Sequence, residues 1–173
     1  MFRDWENFYL LVGSAAGALI GLMFVVTTLT AGLDPGQVSR GGRIYVTPIV
    51  FHFAVVVVVS AISAVPALPA PVVGVTLALM AGAGFVYSAA TTVRMFALQW
   101  TGASPDWSDK FFYGFLPAVA YLALAGAAGA VWLLPWSAPY AVGIVMLVLL
   151  LIGIRNAWDL ATALVQRPHG GGS

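Results

Sequence analysis

Long apolar segments, separated by turn-forming residues, occupy most of the chain. A helix of about 20 residues crosses the hydrocarbon core of a bilayer, which is about 30 Å thick. Each apolar segment is long enough to do so. The pattern therefore predicts five transmembrane helices, at roughly residues 8–30, 46–65, 72–98, 111–134 and 138–165.

The second apolar segment contains a run of valines at residues 55–59. In water such a β-branched run favours a strand, but an open strand edge leaves backbone groups unsatisfied in hydrocarbon, so we expect a helix. Thr47 followed by Pro48 is typical of an N-cap and a first helical position. On that pattern the second helix could begin as late as residue 48.

The composition places these helices in a membrane. Hydrophobic residues make up 61% of the 173 positions and charged residues 8%, whereas about 25% of a soluble domain is charged. So few charges cannot cover the surface of a soluble globule of this size. We predict an all-α integral membrane protein with a single embedded domain over residues 1–169. Residues 170–173 resemble an appended glycine–serine linker.

The distribution of Lys and Arg predicts the orientation. With five spans, the N-terminus and two short proline-rich connections share one side of the membrane, which receives only Arg3. The other side receives six of the seven basic residues, Arg40, Arg43, Arg94, Lys110, Arg155 and Arg167. Because cytoplasmic loops are the basic ones, we expect the N-terminus outside and the C-terminus in the cytoplasm. The tryptophans fall at predicted helix ends or in loops, as interfacial aromatic belts require: Trp5, Trp100, Trp107, Trp132, Trp136 and Trp158.

Small residues recur every four positions on two of the predicted helices. Such stripes let helix backbones approach closely, which is how helices associate in lipid. The partner is either another helix of the same chain or a neighbouring protomer, and two stripes in one chain favour self-association. The candidate packing or oligomer interface comprises Gly13, Gly17 and Gly21 on the first helix and Gly74, Ala78 and Gly82 on the third.

His52 is the one histidine within the predicted spans. An ionisable group inside a span is a candidate for function, although a neutral imidazole bonded to a neighbouring hydroxyl or carbonyl, or reaching the interface, is the alternative. A metal site is disfavoured because zinc needs three or four ligands and the chain has no cysteine. A serine–histidine–acid triad is equally poor, because Ser60 and Ser63 lie farther from the side that carries most acids. We therefore expect no enzymatic activity and no cofactor.

The end of the fifth helix carries a polar stripe. Arg155 and Asp159 are four residues apart and can form an ion pair on one helix face. The stripe either meets cytoplasmic water and headgroups or lines a vestibule. We expect a polar cluster or pathway in the cytoplasmic half of the bundle, formed by His52, Arg94, Arg155, Asn156 and Asp159.

Four short stretches carry a resemblance to known proteins. They are WENFY at 5–9, VGSAAGALIGL at 12–22, Thr47-Pro48 with His52, and NAWD at 156–159. Together they resemble a family of small bacterial inner-membrane proteins with five helices, for which no activity is established. The resemblance implies a multi-pass protein of the bacterial inner (cytoplasmic) membrane and transfers no functional residue.

Two classes of function are compatible with these features. In the first, protomers form a homo-oligomer with a narrow channel or transport path for an ion or small solute. In the second, the chain is an accessory or scaffold subunit that binds another membrane protein or lipid. Nucleic-acid binding is disfavoured, because the formal net charge is +1 and no basic patch exists. We expect the lipid bilayer and further copies of the chain as partners, and slightly favour the first class.

Overall fold

The computed structural model describes residues 2–31, 35–98 and 107–165, with side chains described at 2–28, 46–97 and 107–162. After a 3₁₀ turn at Arg3–Trp5, these residues form long helices and no strand. Each helix contains a stretch long and apolar enough to cross a membrane, which confirms the five predicted helices. The helices are α1 (Glu6–Ala31), α2 (Pro35–Ala64), α3 (Ala70–Leu98), α4 (Trp107–Leu133) and α5 (Ala138–Val165).

The start of α2 differs from the prediction. The helix begins at Pro35 and continues through Pro48, which lies inside it. The interpretation of Thr47-Pro48 as a helix start was therefore wrong. A proline inside a helix removes one backbone hydrogen bond, and helices of membrane proteins tolerate this where neighbouring groups compensate. Pro48 is itself buried in the bundle.

Helix α4 contains a π-helical segment that the hydrophobic pattern did not predict. A first turn at Trp107–Lys110 leads into the wide turn Phe111–Phe115, and Leu116–Leu133 continues as α-helix. Pro117 explains the position of the wide turn, because its ring would collide with the carbonyl group four residues earlier in a regular α-helix. The wider turn moves that carbonyl away from the ring.

Two tight connections join neighbouring helices. Between α2 and α3, Ala67 adopts a positive φ of 57°, and the Val72 N–H donates to the Pro69 carbonyl at 3.0 Å. Between α4 and α5, the Ser137 hydroxyl donates to the Leu134 carbonyl at 3.0 Å. We call the end of the bundle that holds these two connections and the 3₁₀ turn the hairpin end. The opposite end, where α3 stops and α4 begins, is the loop end.

The helices pack as two extensive pairs, α1 with α2 and α3 with α4, and α5 packs against α1, α2 and α4. Helices α2 and α5 are therefore the most enclosed. Half of the most apolar window of α2 and 56% of that of α5 are buried, against 17% for α1. One face of α1 is thus left uncovered by the other described residues.

Aromatic residues hold the N-terminus against α5. The buried Tyr9 hydroxyl donates to the Pro139 carbonyl at 2.7 Å, and the rings of Trp5 and Tyr140 meet edge-on with centroids 4.5 Å apart. Tryptophans also lie at both ends of the bundle, with Trp132 and Trp136 exposed at the hairpin end and Trp107 and Trp158 at the loop end. Outside the described residues lie Trp100, Arg167 and the linker predicted at 170–173, and the side chains of Arg40 and Arg43 are not described.

Candidate functional site

Three polar side chains of α2 point into the interior of the bundle. His52, Ser60 and Ser63 are at most 3% exposed. They fall within about 80° of one another on the helix, and they extend over about 16 Å of its length at 1.5 Å per residue. We call them the α2 polar file. In the described part of the protein, His52 Nε2 and the hydroxyls of Ser60 and Ser63 have no hydrogen-bond partner.

The other nitrogen of His52 is paired. Its Nδ1 lies 2.9 Å from the hydroxyl of Tyr121 on α4, and both side chains are fully buried. Gly84 on α3 permits this position of the tyrosine, because a Cβ at residue 84 would overlap the Tyr121 ring. The first alternative for His52, a bond to a neighbouring hydroxyl, is therefore present in the structure.

A valine block separates His52 from Ser60. Val55, Val56 and Val59 lie between them on α2 and are at most 4% exposed. Eight helical residues cover about 12 Å, so His52 and Ser60 cannot contact each other directly. On the α1 side, Gly13 lies against Ser60, whose Cβ would be 3.0 Å from a Cβ added at the glycine.

A second group of polar side chains lies at the loop end. Arg155 Nη1 and Asp159 Oδ2 are 2.8 Å apart, which confirms that the i,i+4 pair can form. Arg155 Nη2 donates to the Ser108 hydroxyl at 3.0 Å, and the guanidinium carbon lies 3.5 Å from the centre of the Phe112 ring. We call these four residues, with Asn156, the loop-end clamp, because they join α5 to the first turns of α4.

Asn156 is the buried member of the loop-end clamp. Its side chain is fully buried and donates from Nδ2 to the Phe112 carbonyl at 3.0 Å. Its own backbone carbonyl accepts a bond from the Tyr113 hydroxyl at 2.9 Å. The Phe112 carbonyl lies in the π-helical segment. There the wide turn releases backbone groups from the regular hydrogen bonds of the α-helix.

The structure brings together part of the predicted polar cluster. Arg155, Asn156 and Asp159 are in contact, and Arg94 is exposed on α3. No hydrogen bond links His52 to the loop-end clamp among the described residues. However, Phe53 packs against Gly153, so His52 lies near the level of Gly153. That level is three residues, or about 5 Å, from Asn156 along α5.

The predicted small-residue stripes divide between inward and outward positions. Gly13 faces Ser60, and Gly74 is buried against the indole of Trp132. Gly17, Gly21 and Gly82 have no atom of the described chain within 4 Å of a Cβ added to them. These three glycines and Ala78 are exposed on the outside of the bundle.

The α2 polar file ends at a pocket. Ser63 lines a cavity of about 460 Å³ at the hairpin end, together with residues of the N-terminal turn and of the α2–α3 connection. Arg3 and Glu6 also line it. The sequence pattern does not predict this pocket, because its walls come from segments about 60 residues apart.

Several contributing residues carried no recognised sequence signal. Tyr121, Ser108 and Phe112 join the sites only through contacts between helices. Gly84, Gly114 and Gly153 are close-packing positions, where a Cβ would overlap a side chain of another helix. The spacing Gly82-Ala83-Gly84 gave no indication of which glycine faces inward.

No group of three or more His, Cys, Asp or Glu side chains that could hold a metal ion occurs within the residues described. Comparison of the chain with protein families, with curated proteins and with solved structures gave no match. The resemblance to small bacterial membrane proteins therefore stays a prediction, and the function has to be argued from the geometry of the chain itself.

Proposed function

We propose that the chain is a non-enzymatic membrane transport protein that offers a narrow path for an ion or small solute. The supporting observation is the α2 polar file, whose imidazole nitrogen and two hydroxyls are buried inside the bundle with no partner among the described residues. A buried polar group without a partner costs about 1–3 kcal/mol. In native proteins such groups are normally satisfied by ordered water or serve a function.

The path we propose runs through most of the bundle. It begins at the hairpin-end pocket with Ser63, passes Ser60 and reaches the His52–Tyr121 pair about 16 Å along α2. From that level the fully buried Asn156 is about one turn away, and Arg155 and Asp159 follow at the loop end, where they are 34% and 41% exposed. Polar groups thus occur over most of the ~30 Å hydrocarbon thickness.

The valine block (Val55, Val56 and Val59) would form a hydrophobic constriction in such a path. A hydrophobic constriction blocks permeation unless it becomes wet. We therefore propose a gated path of low capacity for a small ion or solute, instead of an open pore.

We further propose that the chain forms a homo-oligomer in the bacterial inner membrane, with the hairpin end outside. The uncovered face of α1, with Gly17 and Gly21 at its centre, supports this assembly because small residues allow a second helix to approach closely. The same face supports the alternative function, an accessory subunit that receives another membrane protein on α1.

Single cysteines test the proposed path directly, because the chain contains no cysteine of its own. Ser60→Cys and Ser63→Cys each replace one oxygen by sulfur, and a charged methanethiosulfonate reagent reaches a thiol only through water. We expect both variants to react in membrane vesicles, with Ser63→Cys the faster because it lines the pocket. Ser14→Cys, exposed on the outer face of α1 that meets lipid or a second copy, is the matched control away from the proposed path and should react least.

Reaction at Asp4→Cys, which is exposed at the hairpin end, shows that the reagent has access to that side. If Asp4→Cys reacts and neither Ser60→Cys nor Ser63→Cys does, no aqueous path follows α2. In proteoliposomes we expect flux of H⁺, K⁺ or Cl⁻ above protein-free vesicles. Absence of flux for all three ions, with correct insertion verified, would favour the accessory subunit.

A further inference from the structure

The hairpin-end pocket has the lining of a site for an amphiphile. Nine of its twelve lining residues are apolar, and the polar ones are Arg3, Glu6 and Ser63. Its volume of about 460 Å³ falls in the range of small-molecule sites. Trp132 and Trp136 are exposed at the same end of the bundle, and tryptophans mark the level of lipid headgroups in membrane proteins.

Two opposite charges at the pocket have no partner among the described residues. Arg3 and Glu6 are exposed, lie three residues apart, and neither side chain is hydrogen-bonded or ion-paired to another described residue. The hydroxyl of Ser63, which is 3% exposed, is also unpaired. The pocket therefore offers a cationic donor, an anionic acceptor and a buried hydroxyl beside an apolar wall.

We propose that this pocket binds the headgroup of a zwitterionic phospholipid of the phosphatidylethanolamine class. The Arg3 guanidinium pairs with the phosphate in the forked geometry that arginine favours. The Glu6 carboxylate accepts hydrogen bonds from the primary ammonium group, and the first methylenes of the acyl chains lie against Val65 and Leu68. The pocket is also the entrance of the proposed transport path, but lipid binding is measured without flux, so failure of one proposal is distinguishable from failure of the other.

The chemistry distinguishes ethanolamine from choline. An ethanolamine ammonium carries three N–H donors for Glu6, whereas a trimethylated choline carries none. Proteins recognise quaternary ammonium groups with cages of several aromatic rings, and the only aromatic ring in this lining is Phe2. Because choline offers Glu6 no N–H donor, ethanolamine should bind about tenfold more tightly than choline, which corresponds to about 1.4 kcal/mol.

The test is a calorimetric titration of the purified full chain in detergent with dihexanoyl-phosphatidylethanolamine and dihexanoyl-phosphatidylcholine. We expect the ethanolamine lipid to bind about tenfold more tightly. Glu6→Gln should bring the ratio of the two affinities close to one. Arg3→Gln should weaken the binding of both lipids. Asp4→Asn is the matched control, because Asp4 is exposed in the same turn and does not line the pocket.

Equal affinity of the wild-type chain for the two lipids would overturn the proposal. This comparison uses only the wild-type chain, so it does not depend on the folding of a variant. An unchanged preference in Glu6→Gln would overturn the assigned role of the carboxylate. Glycerophosphoethanolamine, which lacks acyl chains, should bind more weakly than the lipid. Equal binding of this free headgroup would show that the apolar wall is unused and would overturn the assignment to a phospholipid.

Discussion

Glycine occupies two kinds of position in this bundle. At Gly84, Gly114 and Gly153 an added Cβ would overlap a side chain of a neighbouring helix, so each of these glycines lets two helices approach closely. At Gly17 and Gly82 an added Cβ would have no atom of the described chain within 4 Å. Close packing therefore requires glycine at the first three positions and does not require it at Gly17 and Gly82.

This difference predicts opposite effects for two neighbouring substitutions on α3. Gly84→Ala should displace the Tyr121 ring, break its bond to His52 and reduce the free energy of unfolding by about 1–3 kcal/mol. Gly82→Ala, two residues away, should leave stability unchanged or raise it by about 0.5–1 kcal/mol, because alanine is the better helix former. Thermal unfolding in detergent measures both. Equal stability of the two variants would show that Tyr121 is not packed against Gly84.

Some residue contacts follow from sequence and others do not. The pair Arg155–Asp159 could be predicted, because i,i+4 spacing on a helix places two side chains side by side. The bond between His52 and Tyr121 could not, because 69 residues separate them and it forms only where the Tyr121 side chain of α4 reaches His52 on α2. Hydropathy indicates that a glycine lies in a long apolar helix, but not whether it faces a neighbour.

At the scale of elements, the π-helical segment Phe111–Phe115 and α5 depend on each other. The Phe112 carbonyl accepts a hydrogen bond from the buried Asn156 side chain. The Arg155 guanidinium lies over the Phe112 ring. Arg155 and Asp159 are partly exposed, with 34% and 41% of their side-chain surfaces accessible. The buried amide should therefore contribute more to stability than the exposed ion pair.

Two substitutions in the loop-end clamp separate these contributions. Asn156→Ala leaves a buried carbonyl without its donor and should lower the free energy of unfolding by about 1–3 kcal/mol. Asp159→Asn keeps the shape and removes a partly exposed ion pair, which is worth at most about 1 kcal/mol. Thermal unfolding of the two variants under identical conditions gives the comparison. A larger loss in Asp159→Asn would mean that the ion pair, and not Asn156, holds α5 against α4.

The existence of the helices could be predicted, whereas two details of their shape could not. The chain has five long apolar segments and only 8% charged residues. In a bilayer such segments form helices, because a helix satisfies its own backbone hydrogen bonds. The pattern does not predict the early start of α2, because Thr47-Pro48 is typical of a helix boundary, whereas the buried Pro48 lies inside the helix. The wide turn in α4 was missed because Pro117 lies well inside the apolar segment and hydropathy carries no backbone signal.

At the scale of the whole molecule, the two ends of the bundle differ in their number of basic residues. Among the described side chains, Arg3 lies at the hairpin end, whereas Arg94, Lys110 and Arg155 lie toward the loop end, which also carries Asp109 and Asp159. We predict that the loop end is cytoplasmic, because basic residues are retained on that side of the membrane. Alkaline phosphatase fused to the C-terminus should be inactive, and a fluorescent protein at the same place should be bright. Phosphatase fused after residue 67, in the α2–α3 connection, should be active. The opposite result at both positions would invert the topology.

The uncovered face of α1 predicts how the molecule associates. A Cβ added at Gly17 would have no atom of the described chain within 4 Å, so Gly17→Leu should leave the fold of the protomer and its thermal stability unchanged. If a second copy packs on this face, the branched side chain prevents close approach, and the mass of the complex in nanodiscs should fall. Gly13→Leu is the control for internal packing, because Gly13 lies against Ser60, and it should destabilise the protomer itself. If Gly17→Leu and Gly21→Leu both retain the wild-type mass, α1 is not the interface between copies, and its uncovered face meets lipid or a different membrane protein.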